Sequence, residues 1–210
     1  MKSGVFITLE GGEGAGKSTL LRSLTAWLDS QNIPVLATRE PGGTPEAEAI
    51  RSLVVQGSKD RFDPIAETLL FNAARRHHLQ QVILPALKAG TWVICDRFVD
   101  STFVYQGYVQ GVDLNFLTML HQKACDNCLP TVTFLMDIPV DIGLYRAKKR
   151  MTASHEMRFE QYDYHFHEQV REAFIQLSKA YPQRFFVLDG TLSEQAVFEQ
   201  AIDHLSSHLT

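Results

Sequence analysis

The sequence predicts an α/β fold, a five-stranded parallel sheet with helices on both of its faces. Short apolar runs alternate with longer segments of helical period along the 210 residues, the pattern of right-handed βαβ units. The apolar runs are continuous rather than alternating, as expected of strands buried on both faces. A glycine-rich turn joins the first strand to the first helix, where an open sheet of this kind puts a ligand.

The elements follow in order. Residues 5–9 (VFITL) form the first strand. Residues 17–30 form a helix with Leu20, Leu21, Leu24, Trp27 and Leu28 at spacings of three and four. Residues 34–38 form the second strand, closed by the turn Pro41-Gly42-Gly43. Residues 45–56 read as a helix. Residues 64–88 read as a long helical stretch, bent near Pro85 and ended by Gly90. The third strand is 91–95 (TWVIC), a helix covers 113–124, and the fourth strand is 131–136 (TVTFLM). Residues 140–150 make a helix with a basic end, and 151–157 a polar loop. A helix over 158–181, a fifth strand over 185–188 and a closing helix over 194–207 complete the chain, which reads as a single domain.

The bulk composition excludes several classes. A net charge of −4 gives no field for general nucleic-acid binding, so an anionic ligand needs a local cluster of Arg and Lys. The N-terminal apolar stretch ends at Glu10, too early for a signal peptide. No run approaches the roughly 20 apolar residues of a membrane helix. The chain therefore reads as cytoplasmic. Cys125 and Cys128 form a C-x-x-C with His121 nearby, but a structural zinc site needs two further ligands. With Cys95, these read as ordinary reduced thiols.

Gly11-Gly12-Glu13-Gly14-Ala15-Gly16-Lys17-Ser18, followed by Thr19, satisfies G-x-x-x-x-G-K-[ST] between a strand and a helix. Small residues let the backbone wrap a phosphate. Inward N–H groups and the positive end of the following helix favour an anion. Lys17 then reaches the β- and γ-phosphates of a nucleoside triphosphate, and the Ser18 hydroxyl suits Mg²⁺. A carboxylate at another strand end completes such a site. Asp96 and Asp137 both qualify, and Asp96 is favoured because Arg97 beside it adds a guanidinium for phosphate.

Arg39, Arg75, Arg76 and Arg97 lie at strand ends or on the long helix, and arginine suits bidentate phosphate binding. Beside a triphosphate loop they suggest a second, phosphorylated ligand. A phosphate acceptor is already ionised near neutral pH and needs no general base, so catalysis reduces to positioning and charge neutralisation. Phe71 precedes Arg75 by one helical turn and shares its side, which suits stacking on a base whose edge the Arg reads; packing in the core is the competing role. Arg146, Lys148, Lys149, Arg150 and Arg158 bracket a polar loop. They could close over a transferring phosphoryl group or simply solvate a helix end.

TLEGGEGAGKST (8–19), TREPGGTP (38–45), LLFNAARRHHL (69–79), ICDRFVDSTFVYQG (94–107), FLMDIP (134–139) and RFEQ (158–161) together resemble the thymidylate kinases, a P-loop NTPase family. The resemblance runs through nearly the whole chain. It implies ATP-dependent phosphorylation of dTMP to dTDP in dTTP biosynthesis, a requirement for Mg²⁺ and a homodimer. It implies that residues 11–19, from Gly11 and Gly12 through Ala15 and Gly16 to Thr19, bind ATP with Arg146, and that Ser18 and Asp96 hold the metal. Phe71 would stack on thymine and Arg75 read its edge, with Ser101, Thr102 or Gln106 near the ring. Arg39 and Arg97 would hold the acceptor phosphate. Glu13 would lie near the acceptor's sugar and phosphate, and Tyr105 would disfavour a 2′-hydroxyl. The glycine-rich loop has no Arg, which resembles the bacterial arrangement. That implies catalytic arginines in a lid near residues 146–160, Arg150 first, then Arg146 and Arg158. The chain departs from the family at Gln110, at Met157 and in a longer stretch between Arg150 and Arg158. A P-loop kinase for another nucleotide or a nucleoside would need a different acceptor pocket. A GTPase would carry Asn-Lys-x-Asp, which is absent.

Overall fold

The computed structural model describes residues 4–150 and 162–206, with the side chain of Arg150 outside that description. Five parallel strands stand in the order β2-β3-β1-β4-β5. They are β1 (Phe6–Glu10), β2 (Val35–Arg39), β3 (Trp92–Asp96), β4 (Val132–Asp137) and β5 (Phe185–Asp189). From β1 the chain turns first to one side of the sheet and later to the other. The crevice at this reversal lies directly beyond β1. All five residues of β1 are buried, whereas the edge strand β5 leaves Phe186 and Val187 exposed.

Successive β1 side chains go to opposite faces. Ile7 and Leu9 join Leu20, Leu24 and Leu28 of α1 (Lys17–Ser30) and Val197, Ala201 and Leu205 of α9 (Glu194–Ser206). Phe6 faces the other side, with Leu79, Ile83 and Phe98. Thr8 on that side shares a buried hydroxyl contact of 2.9 Å with Thr133. Glu10 ends the same row, so its carboxylate is buried beneath the segment after β3.

Caps start most of the other helices. Thr44 accepts from Ala47 N ahead of α2 (Pro45–Val55), and Asp63 from Ile65 N and Ala66 N ahead of α3 (Pro64–His78), each with Pro at the first position. Asp113 and Asp163 cap α6 (Leu114–Cys125) and α8 (Tyr164–Ala180) in the same way. The bend expected near Pro85 is a π turn over Leu79–Ile83 leading into α4 (Leu84–Lys88), which absorbs the N–H that proline lacks. Helix α7 covers Val140–Arg150. The polar loop expected at 151–157, and residues 158–161 of the helix expected after it, lie outside the described residues.

One element has no counterpart in the sequence reading. Residues Val99–Thr102 form α5, which runs on as a π helix over Phe103–Val109. Its Val, Thr, Phe and Tyr content favours strand locally. The apolar wall of α8 overrides that preference, as Val104 and Tyr105 pack on Phe166, Val170 and Phe174.

Candidate active site

The register aligns the site. Leu9 and Arg39 both pair with Asp96, so residues 10–18, 39–41 and 96–98 emerge on one rim. A cleft of about 240 Å³ opens there. Glu13, Gly14, Ala15, Gly16, Lys17 and Ser18 line one end, and Arg39, Phe71, Arg75, Arg97, Ser101, Thr102, Tyr105 and Gln106 line the rest, with Asp96 between. With Arg51 and Val55 of α2, residues from six segments of the sequence thus meet in one continuous space.

At the loop end, α1 begins at Gly16 with no side-chain cap and no acidic residue in its first turn. The positive end of its dipole therefore faces the cleft without a cap of its own. Lys17 Nζ donates to Gly11 O at 2.9 Å and Gly12 O at 2.8 Å. Burial, with Arg97 next, lowers its pKa to about 8. Thr19 Oγ1 accepts from Arg22 and does not line the cleft. The loop rests on α7 through two glycines. A Cβ on Gly14, whose φ is +69°, would collide with Gly143 O, and a Cβ on Gly143 would come within 2.5 Å of Glu13 O.

The two candidate carboxylates separate clearly. Asp96 Oδ2 accepts from Ser18 Oγ at 3.2 Å. Asp137 is held by Arg171 through bonds of 2.7 and 3.1 Å. Asp96 and Ser18 therefore present two hard oxygen donors side by side, the donor chemistry of Mg²⁺.

Arg97 adopts φ 69°, which turns its side chain back across the cleft. It donates to Glu13 Oε1 at 2.8 Å and Ser101 Oγ at 3.2 Å, and its guanidinium lies 5.3 Å from the Tyr105 ring centre. Burial opposes its charge, but Tyr105, Glu13 and Glu10 raise its pKa further above the usual arginine value. Burial likewise pushes the Tyr105 hydroxyl up to about 12. Arg39 pairs with Glu48 at 3.0 Å and is half exposed. Arg75 is buried, bonded to Glu40 and to Phe98 O, and its Nη1 has no hydrogen-bond partner among the described residues.

Arg146 does not line the cleft. It donates to Gly190 O at 2.9 Å, beyond the end of β5. The Arg150 side chain and Arg158 lie outside the described residues. Arg76, grouped by sequence with Arg75, turns away to Asp126 and Ala124 O.

Sequence reasoning missed three contributors. Arg51 lines the cleft and donates to Pro41 O at 2.8 Å; no local pattern singled it out. Glu40, just before the turn at Pro41, was given no role, yet it is buried against Arg75. Glu10 accepts from Phe98 N, Ser101 N and Ser101 Oγ. Burial and then Asp100 raise its pKa to about 7. It anchors the segment that carries Arg97 and Ser101.

A family model for thymidylate kinase matches residues 9–201. The chain is 47% identical over 194 residues to the thymidylate kinase of Magnetococcus marinus, covering 92% of this chain and 91% of that one. It is 44% identical over 206 residues to that of Afipia carboxidovorans, covering 98% and 90%. A crystal structure of thymidylate kinase from Ehrlichia chaffeensis matches with a TM-score of 0.78 and 32% identity, over 97% of this chain and 99% of that one. Fold, loop and relatives agree: the chain belongs to the thymidylate kinase family, P-loop nucleoside monophosphate kinases that use ATP to phosphorylate dTMP to dTDP.

Proposed function

We propose a division of labour in which the loop end of the cleft holds ATP and the arginine-lined end holds dTMP. The observation that carries it is the continuity of the cleft from Gly14–Ser18 to Phe71 and Arg75. Backbone N–H groups at the start of α1 and the Lys17 ammonium grip the donor phosphates. Ser18 and Asp96 are the residues that would hold Mg²⁺, which when bound neutralises charge on the phosphates. Arg97 and Arg39 hold the acceptor phosphate and turn its oxygen toward the donor. That oxygen is already ionised, so no side chain has to remove a proton.

Phe71 stacks on the base and Arg75 offers Nη1 to its edge, with Ser101, Thr102 and Gln106 around the ring. Tyr105 packs against the sugar where a 2′-hydroxyl would stand. Glu13, already on Arg97, keeps that guanidinium from swinging away before substrate arrives. For charge stabilisation during transfer Arg150 is the first choice, then Arg146 and Arg158.

We also propose a homodimer working in the cytoplasm. Leu53 of α2, Ile65 and Leu69 of α3, and Met119 of α6 are exposed apolar side chains on helices that pack together. The three unpaired cysteines suit a reducing compartment, and no described helix is long and apolar enough to cross a membrane.

A coupled ADP-release assay across dTMP, dCMP, dGMP and AMP tests the site reading. The expected result is a strong preference for dTMP that requires Mg²⁺. Equal rates with all four acceptors would sink it.

A further inference from the structure

We propose that Glu40 and His78 are positioning residues that set which nucleobase the cleft accepts, by holding the Arg75 guanidinium so that Nη1, unpartnered among the described residues, is left for the base edge. The proposal rests on the assignment of Arg75 to that edge.

Arg75 Nε donates to Glu40 Oε2 at 2.6 Å and Nη2 to Phe98 O at 3.1 Å. Two anchors on different nitrogens of a planar group hold it in place. Nη1 is then a buried nitrogen without a hydrogen-bond partner among the described residues, on a side chain that lines the cleft. The other Glu40 oxygen, Oε1, lies 3.2 Å from His78 Nδ1, and His78 Nε2 lies 2.8 Å from Thr38 Oγ1. Glu40, flanked by a guanidinium, accepts from both sides. This assigns the ring proton to Nδ1 and leaves Nε2 to accept from the Thr38 hydroxyl. Thr38, His78, Glu40 and Arg75 thus form one chain of donors and acceptors ending at the cleft. Arg75, Glu40 and His78 are all at least 95% buried, so none has water to fall back on. The turn after β2 closes over the imidazole, because Gly43, at φ +85°, brings its Cα where any Cβ would collide with His78 Nε2.

Glu40, His78 and Cys95 also place ligand-type atoms within 4.8 Å of one another. That cluster is not read as a metal site. Arg75 already supplies the positive charge on Glu40, while burial raises the Cys95 thiol well above its usual range, and it donates to Arg97 O.

The chemical consequence is selection by hydrogen-bond polarity. A ring carbonyl facing Nη1 supplies the missing acceptor. An amino group there sets donor against donor, and the buried N–H stays unpaired. The ligand class is a pyrimidine nucleotide with a carbonyl, not an amino group, at that edge. If Glu40 or His78 is lost, the guanidinium is free to tilt and the discrimination weakens.

The test measures kcat and KM for dTMP and dCMP at saturating ATP in Arg75→Ala, Glu40→Gln, His78→Leu and His78→Asn. Glu40→Gln and His78→Leu are expected to raise KM for dTMP more than they lower kcat. They should cut the dTMP-over-dCMP preference roughly tenfold without altering KM for ATP. His78→Asn keeps an amide donor where Nδ1 stands and should recover most of the preference. A merely structural role would reduce the active fraction alike for both substrates and leave the ratio unmoved. A wild-type ratio in Glu40→Gln and His78→Leu, with the ratio lost in Arg75→Ala, overturns the positioning role and spares the base-edge assignment. A wild-type ratio in Arg75→Ala removes both. If His78→Leu does not fold, Thr38→Val removes only the far hydroxyl. A fall of about threefold in the ratio is then expected, and an unchanged ratio overturns the proposal.

Discussion

Replacing Arg97 by Ala tests the centre of the site most directly. The guanidinium donates inside the cleft at 2.8 Å to Glu13 and 3.2 Å to Ser101, and on the proposed reading both donor groups turn to the acceptor phosphate. A charge-assisted hydrogen bond contributes about 1.5–3 kcal/mol, so losing two costs about 3–6 kcal/mol at the transition state, or roughly 10²–10⁴ in kcat/KM. The fold should lose far less. The pair with Glu13 is partly exposed, at 18% and 26%, and after discounting for solvent is worth only about 1 kcal/mol. The segment itself stays anchored, because Ser101 Oγ remains 2.6 Å from Glu10 Oε2 and Phe98 N 2.8 Å from Glu10 Oε1. The assay titrates dTMP at saturating ATP with coupled detection of ADP, beside a thermal melt. Arg97→Lys should recover part of the loss by charge without the bidentate fork. Arg97→Gly relaxes the backbone at φ 69° and should melt no lower than Arg97→Ala while staying equally inactive. A kcat/KM within about threefold of wild type for a folded Arg97→Ala, against the drop expected from the charge-assisted bonds, would refute the phosphate role.

Three further outcomes follow from the same geometry. Lys17, lowered to about 8 by burial, is mostly neutral at pH 8.5 and is recharged by a triphosphate; calorimetry in two buffers of different ionisation heat should show uptake of roughly 0.7 proton on ATP binding, and zero uptake or net release would count against it. Glu10 has a folded pKa near 7, above its ordinary 4.5, so the unfolded chain loses its proton first and stability falls as pH rises from about 4.5 to 7. Glu10→Gln, which keeps an acceptor for Phe98 N, should therefore melt above wild type at pH 8 but not at pH 4.5, and an equal difference at both would contradict the assignment. Asp100 holds Arg184 at 2.6 and 2.7 Å in the interior, so Asp100→Ala leaves a buried cation and should cost about 3–5 kcal/mol by denaturant titration, with a loss below about 1 kcal/mol, the range of an exposed pair, showing the pair to be solvated.

What was legible in the sequence was whatever local pattern decides. The loop 11–18 is a contiguous motif, the strands are contiguous apolar runs, and helix α1 begins and ends where its spacing placed it. What was not legible depends on partners far apart. Asp96 and Asp137 follow similar strands, and only Arg171, 34 residues from Asp137, decides between them. Glu40 sits among turn residues and gains its meaning from Arg75 and His78, 35 and 38 residues on. Arg75 and Arg76 are indistinguishable as letters, yet α3 directs one inward and the other to Asp126. The helix over 99–109 hid because its residues prefer strand and its apolar neighbours on α8 come more than fifty residues later.

The contact between Gly14 and Gly143 carries a consequence for recombination. Neither position tolerates a side chain while the other backbone stays put, so the two glycines act as one heritable unit divided between distant parts of the chain. A chimera that imports a basic segment from a relative by splicing before residue 143 has to import a compatible phosphate loop as well. Splicing after α7's first turns, and so leaving Gly143 with its native loop, keeps the seam intact.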